Sequence, residues 1–358
     1  MKKIIFVLAH LQYSDGVAKV LCDICNALPQ EEFDITVKSL YRYDKDFIKN
    51  FNRNIKTKTF FGFYVRGLDK IISKIPARLL YKLVVRERYD IEIGFQYGRS
   101  TELIAASSNK RATHLAWMHT YDDGLTLLDS YRKMNKVICV SKCNAERLSE
   151  ETGKEINTDY VYNLVDDNKL NKQKNETCDI EKPAFPLFVS VGRHSAEKGY
   201  GRLIKILADL KEKGKKFECW LIGDGPEHDL LKQMVHERNL DDCIKLLGAQ
   251  KNPHKYTAKG DIFICSSFSE GYSTACTEAA ILGIPIITTD VSGGREIIEE
   301  AECGLLTHKD DSSLDDALNY ILDNPEVISQ WKKIAAVTSE KFSLKSRKNR
   351  MIDLFEGF

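Results

Sequence analysis

Phe185-Pro-Leu-Phe-Val-Ser-Val191, then Gly192-Arg-His-Ser-Ala-Glu-Lys-Gly-Tyr200, then Leu203, Ile204, Ile206, Leu207 and Leu210, is the stretch that decides the fold. The first run is short, continuous and apolar, as a buried parallel strand requires. The last set recurs with helical spacing, and the loop between them holds Gly192 and Gly199. A strand, a glycine-containing loop and a helix in that order open a doubly wound α/β domain. The chain begins the same way: Lys3-Ile-Ile-Phe-Val-Leu8, a polar loop ending in Asp15-Gly16, then Val17, Val20, Leu21, Ile24 and Leu28.

Further strands are expected at 34–37, 91–95, 114–118, 137–140 and 160–162 in the first half. In the second half they are expected at 218–222, 244–247, 262–265, 284–288 and 304–306. Helical patterns of roughly 10–15 residues separate them, which implies parallel sheets with right-handed crossovers. The polar stretch 166–183 reads as a linker between a first domain, 1–165, and a second, 184–340; 341–358 reads as a helix packing back on the first domain. The fold class is therefore α/β, two doubly wound Rossmann-like domains facing a central cleft, where such folds bind ligands.

The 358 residues suit two domains at a prior of about 150 each. The 53 Lys and Arg balance 52 Asp and Glu, for a net charge of +1, which argues against a dedicated nucleic-acid binder. No run approaches the ~18 apolar residues of a membrane span. Six apolar residues after Met1-Lys2-Lys3 are too few for a secretory signal, so a cytoplasmic location is expected. The ten cysteines are scattered, and the one close pair, Cys22 and Cys25, falls in an apolar helical pattern. They read as reduced, buried small hydrophobes.

Arg193 and Lys198 sit where a strand ends and a helix begins, so backbone N–H groups and the helix dipole favour an anion there. A guanidinium fork and a compact ammonium can together neutralise a diphosphate without a metal. The plainer reading is two surface cations. A second segment, Ser269-Glu-Gly-Tyr-Ser-Thr-Ala-Cys-Thr-Glu278, follows the apolar strand 262–265 and leads into a helix. Glu270 and Glu278 can accept paired hydrogen bonds from the vicinal hydroxyls of a ribose or sugar, and Gly271 permits close backbone approach. Their spacing alone is uninformative; their position after a buried strand gives them weight.

Taken together, Val-Gly-Arg193-x4-Lys198-Gly and the later Glu270-Gly-x6-Glu278 resemble the retaining glycosyltransferases of family 4, with the GT-B fold. Gly223-Asp-Gly-Pro226, Leu247-Gly248 with Asn252-Pro253, Gly283-Ile-Pro-Ile286 and Ser292-Gly-Gly-x-Glu296 match the family's donor domain. Val140-Ser141 and Tyr162-Asn163-x-Val-Asp166 match the end of its first domain. The resemblance implies a nucleotide-sugar donor, most often a UDP-sugar. It implies Arg193 and Lys198 on the diphosphate, Glu278 on the ribose and Glu270 on the donor sugar. His119, in Ala116-Trp-Met-His119, matches the histidine near the reacting sugar; without that context it is a strand-capping histidine. Gly16, Gly192, Gly223, Gly271, Tyr272, Ser273 and Thr274 complete the donor contacts so implied. The chain departs from the family in carrying Asp15-Gly16 where two glycines are usual, and a more polar Ser273-Thr-Ala-Cys276.

Neither a metal nor another cofactor is expected, the nucleotide-sugar being a substrate. Asp122-Asp123 reads as an exposed loop pair. Residues 49–88 hold eleven Lys and Arg against Asp69 and Glu87, with Phe60-Phe-Gly-Phe-Tyr64 among them. Lys70, Lys74, Arg78, Lys82 and Arg86 recur every four residues beside apolar ones, and Pro76 is expected to split the stretch into two helices. Such a surface suits anionic lipid head groups, which implies a lipid-linked glycan acceptor at the cytoplasmic membrane face. The alternative is a solvated helix face. The leading function is transfer of a sugar to a cell-surface polysaccharide, capsule or lipopolysaccharide. A nucleotide-sugar 2-epimerase of similar architecture and a non-catalytic nucleotide-sugar-binding module are the competing readings.

Overall fold

A computed structural model describes the chain except residues 13–15, 42, 66 and 122–124. Its apolar runs form two parallel sheets. The first comprises β1 (Lys2–Leu8), β2 (Phe33–Ser39), β3 (Lys56–Thr59), β4 (Ile91–Gly94), β5 (Thr113–Met118), β6 (Lys136–Cys139) and β7 (Thr158–Tyr160), in the order β3-β2-β1-β4-β5-β6-β7. The second comprises β8 (Leu187–Val191), β9 (Glu218–Ile222), β10 (Ile244–Gly248), β11 (Ile262–Cys265), β12 (Ile286–Thr289) and β13 (Gly304–Thr307), in the order β10-β9-β8-β11-β12-β13. Both are doubly wound: the order reverses beside β1 in one and beside β8 in the other. One compact unit is Met1–Leu164 with Arg347–Phe358, and the other is Val165–Ser346.

Central strands are covered on both faces, which explains their unbroken apolar character. Phe188 is fully buried with Leu203, Ile204, Leu207 and Leu210 of the helix Tyr200–Glu212 in one continuous core. Each such side chain contributes about 1.5–3 kcal/mol by leaving water. In the other unit Phe6 meets Phe95 edge-on at 5.6 Å, and Phe355 of the helix Leu344–Glu356 is buried beside Phe6, Phe33 and Trp117.

Two segments differ from the sequence reading. β3, Lys-Thr-Lys-Thr, contains no apolar residue and lies inside the basic stretch. It is an edge strand whose Lys56 pairs with Asp34 at 2.7 Å on the neighbouring strand, and edges tolerate such alternation. The expected linker 166–183 holds a helix, Asp167–Gln173, capped by Asp166 accepting from the Lys169 N–H at 3.0 Å. One buried residue, Leu170, anchors it, too little apolar periodicity to read.

Candidate active site

β8 and β11 are neighbours, but the chain continues to β9 on one side and β12 on the other. At the carboxyl end of such a pair, open α/β sheets bind ligands. Loops 192–199 and 266–273 leave from there and are hydrogen-bonded together. The Phe268 N–H donates to Glu197 O at 2.7 Å, and Ser266 Oγ donates to Lys198 O at 2.9 Å. Gly199 has φ +67°, and a Cβ there would stand 2.2 Å from Ser266 O, so only glycine fits. Gly223, at φ +145°, is likewise packed on Gly192 O, 1.8 Å from where its Cβ would be.

This seam brings Lys198 Nζ to 2.7 Å from Glu270 Oε1. Ser267 Oγ donates to the same oxygen at 2.6 Å. Burial alone pulls the Lys198 ammonium down, but the Glu270 carboxylate more than offsets it and holds the pKa above the ordinary lysine value. One ammonium proton engages Glu270, leaving two for another acceptor. Both contacts to Glu270 are made to Oε1, and Oε2 takes no part in either. Arg193 lies in the same loop as Lys198 and is exposed.

Ser273 caps the helix Thr274–Ile281, accepting from the Cys276 N–H at 3.2 Å, so Ser273 and Thr274 stand at a helix N-terminus. Glu278 follows one turn later, buried, with Oε2 3.9 Å from Nδ1 of buried His254. Tyr272 is buried against Gly293. Gly192, Lys198, Gly223, Glu270 and Ser273 thus belong to one cluster of loops, with Arg193 and Glu278 on the same elements.

His119 and Gly16 belong to the other unit. His119 Nε2 lies 2.8 Å from Phe95 O at the end of β4. A carbonyl only accepts, so Nε2 carries the proton and Nδ1 keeps its lone pair. Burial lowers the pKa to about 4, against a small upward pull from that carbonyl, so the ring is neutral at pH 7. Gly16 is the exposed first residue of the helix Gly16–Ala27; its neighbour Asp15 and the Asp122-Asp123 pair fall outside the described residues.

Three histidines and an arginine at this site gave no signal in the sequence. His194 is fully buried in the loop 192–199, its Nδ1 2.9 Å from His228 Nδ1 and the rings stacked at 5.0 Å. Burial, and next the neighbouring His228, lower its pKa to about 4. His254 and Arg202 are also buried. Each partner is far away in sequence, and a lone histidine or helical arginine carries no pattern to read.

The basic stretch forms two short helices, Leu68–Ser73 and Ala77–Val84, parted at Pro76. Beside their lysines and arginines they expose Ile71 (64%), Leu79 (51%) and Leu83 (40%), and the preceding loop exposes Phe63 and Val65. Arg66 is outside the described residues. Among those described, no helix is long and apolar enough to cross a membrane.

Residues 173–337, within the second unit, match the family described as Glycosyl transferases group 1. A glycosyltransferase of Haemophilus influenzae is 23% identical over 357 residues, covering 96% of this chain and 97% of that one. The Campylobacter jejuni N-acetylgalactosamine-N,N'-diacetylbacillosaminyl-diphospho-undecaprenol 4-alpha-N-acetylgalactosaminyltransferase is 29% identical over 215 residues, 59% of this chain and 57% of its own. Among solved structures, Anabaena HepE in complex with UDP superposes with a TM-score of 0.76 at 18% identity, over 100% of both chains. The fold is GT-B, and the chain is a glycosyltransferase.

Proposed function

We propose that this enzyme moves a sugar, with retention and without a metal, from a UDP-sugar to a lipid-linked glycan in cell-surface polysaccharide assembly. The observation that carries the reading is the Lys198–Glu270 pair at the carboxyl edge of β8 and β11, with exposed Arg193 in the same loop. As the glycosidic bond to the diphosphate breaks, negative charge grows on the departing oxygen. Arg193 and the two remaining Lys198 protons stabilise that charge. Glu270 Oε2 accepts from donor-sugar hydroxyls, and Glu278 accepts from the ribose. The neutral His119 offers its Nδ1 lone pair to a sugar hydroxyl. Retention follows the family resemblance, as does the choice of UDP, which the UDP-bound HepE structure also supports.

The acceptor reading rests on the first unit. Exposed Ile71, Leu79 and Leu83 beside a lysine- and arginine-rich face suit insertion at an anionic membrane surface. The Campylobacter relative, whose name includes diphospho-undecaprenol, supports the same acceptor class. An epimerase would need neither acceptor nor membrane.

The test is nucleotide release from UDP-, GDP-, dTDP- and ADP-sugars, with and without a lipid-linked glycan extract, against Arg193→Ala. Release from a UDP-sugar that rises with the extract and is lost in the variant is the expected result. A changed sugar without UDP release would establish the epimerase instead.

A further inference from the structure

Arg202, in the first turn of the helix Tyr200–Glu212, is 6% exposed. Its nearest carboxylate, Asp311, is 3.8 Å away and itself largely exposed. A buried cation without a buried counter-ion is costly, and a well-packed core does not need one. Its fork is instead spent on backbone. Nε and Nη2 donate to Ser266 O at 2.9 and 2.5 Å, Nη2 to Ser267 O at 3.1 Å, and Nη1 to Lys309 O at 2.5 Å. The Phe268 ring covers the guanidinium at 4.0 Å.

Ser266 and Ser267 start the loop that ends in Glu270, and Ser267 itself donates to Glu270. Thr289 Oγ1, on β12, donates to Ser267 O at 2.6 Å, so this carbonyl is held from two sides. The Glu270 carboxylate therefore sits on a backbone held by Arg202, four residues after Lys198 in the chain, with Thr289 as a second donor. A planar fork can bind two successive carbonyls at fixed spacing; a point-like ammonium cannot.

We propose that Arg202 is a positioning residue for the transfer: it sets the height of the Ser266–Glu270 loop and hence the place of Glu270 against the donor sugar. The inference rests on the proposed role of Glu270 and Lys198. Loss of Arg202 leaves the Arg193 and Lys198 charges in place while moving the backbone under Glu270, so turnover is expected to fall further than nucleotide affinity. A shift of about 1 Å at a reacting group costs on the order of 100-fold in rate.

The experiment compares wild type, Arg202→Lys, Glu270→Gln and Thr289→Val. UDP is the binding probe, and UDP release from the UDP-sugar panel with glycan extract measures turnover. Arg202→Lys is expected to lose about 10- to 100-fold in kcat while UDP Kd stays within about threefold. Unchanged kcat in the folded variant, or a parallel loss of UDP affinity, would overturn the inference. Thr289→Val, nearly isosteric, removes the second donor to Ser267 O and is expected to show the same split at about 3- to 10-fold. If Arg202→Lys does not fold, unchanged kcat in Thr289→Val is the overturning result. Full turnover in Glu270→Gln would instead break the underlying reading of the site, whatever Arg202 does.

Discussion

The loop after β8 and the described residues on either side of 13–15 after β1 leave equivalent places in two similar sheets, yet they are held to different tolerances. After β8, Glu197, Lys198 and Gly199 are tied to the loop that starts at Ser266, and Gly199 has no room for a methyl group. After β1, the Ala9 N–H reaches Gln96 Oε1 at 3.0 Å, and the helix then starts at exposed Gly16, where none of the described residues comes within 4 Å of the place of its Cβ. The first unit also carries the exposed apolar and basic surface, whereas the second pairs Lys198 with Glu270 and buries Arg202 among backbone carbonyls. The difference teaches that one doubly wound unit is organised to hold charge in a fixed geometry. Its counterpart leaves its glycine-started helix and its basic face open.

Gly199→Ala and Gly16→Ala break that comparison most sharply. The first places a methyl group on a backbone carbonyl at a left-handed φ. It is expected to cost about 2–4 kcal/mol, read as a fall in the denaturant midpoint. The second sits at the open start of a helix and is expected to change stability by less than about 1 kcal/mol, in the stabilising direction. Equal effects at the two sites would show that the two glycines are held alike.

The contrast sharpens on the first unit's surface. Replacing Ile71, Leu79 and Leu83 together by glutamate removes the inserting side chains and part of the positive field, without touching the core. Binding to anionic vesicles is expected to fall tenfold or more, while circular dichroism is unchanged. Wild-type binding that is equal on neutral and anionic vesicles would mean that the surface is a solvated face.

Much of this was legible in the amino-acid order for physical reasons. Parallel strands covered on both faces are continuous apolar runs, so β1, β8 and β11 announce themselves. β3 does not, because an edge strand of alternating lysine and threonine has no apolar signal; nor does the helix Asp167–Gln173, which rests on Leu170 alone. Lys198 and Glu270 were readable as charge types at strand ends. Their contact is long-range, since it depends on two loops meeting 72 residues apart. Arg202 reads in sequence as one more helix cation, and His194 with His228 as two unrelated histidines. Burial and partner, which make them notable, exist only in the folded chain.

The most direct measurement of the central claim is a calorimetric titration of UDP into wild type, Arg193→Ala and Lys198→Ala. Charge-assisted hydrogen bonds to a diphosphate are worth about 1.5–3 kcal/mol each, so each variant is expected to bind UDP about 10- to 100-fold more weakly, with the fold intact. Undiminished UDP affinity in both variants would contradict the assignment of this loop to the donor diphosphate.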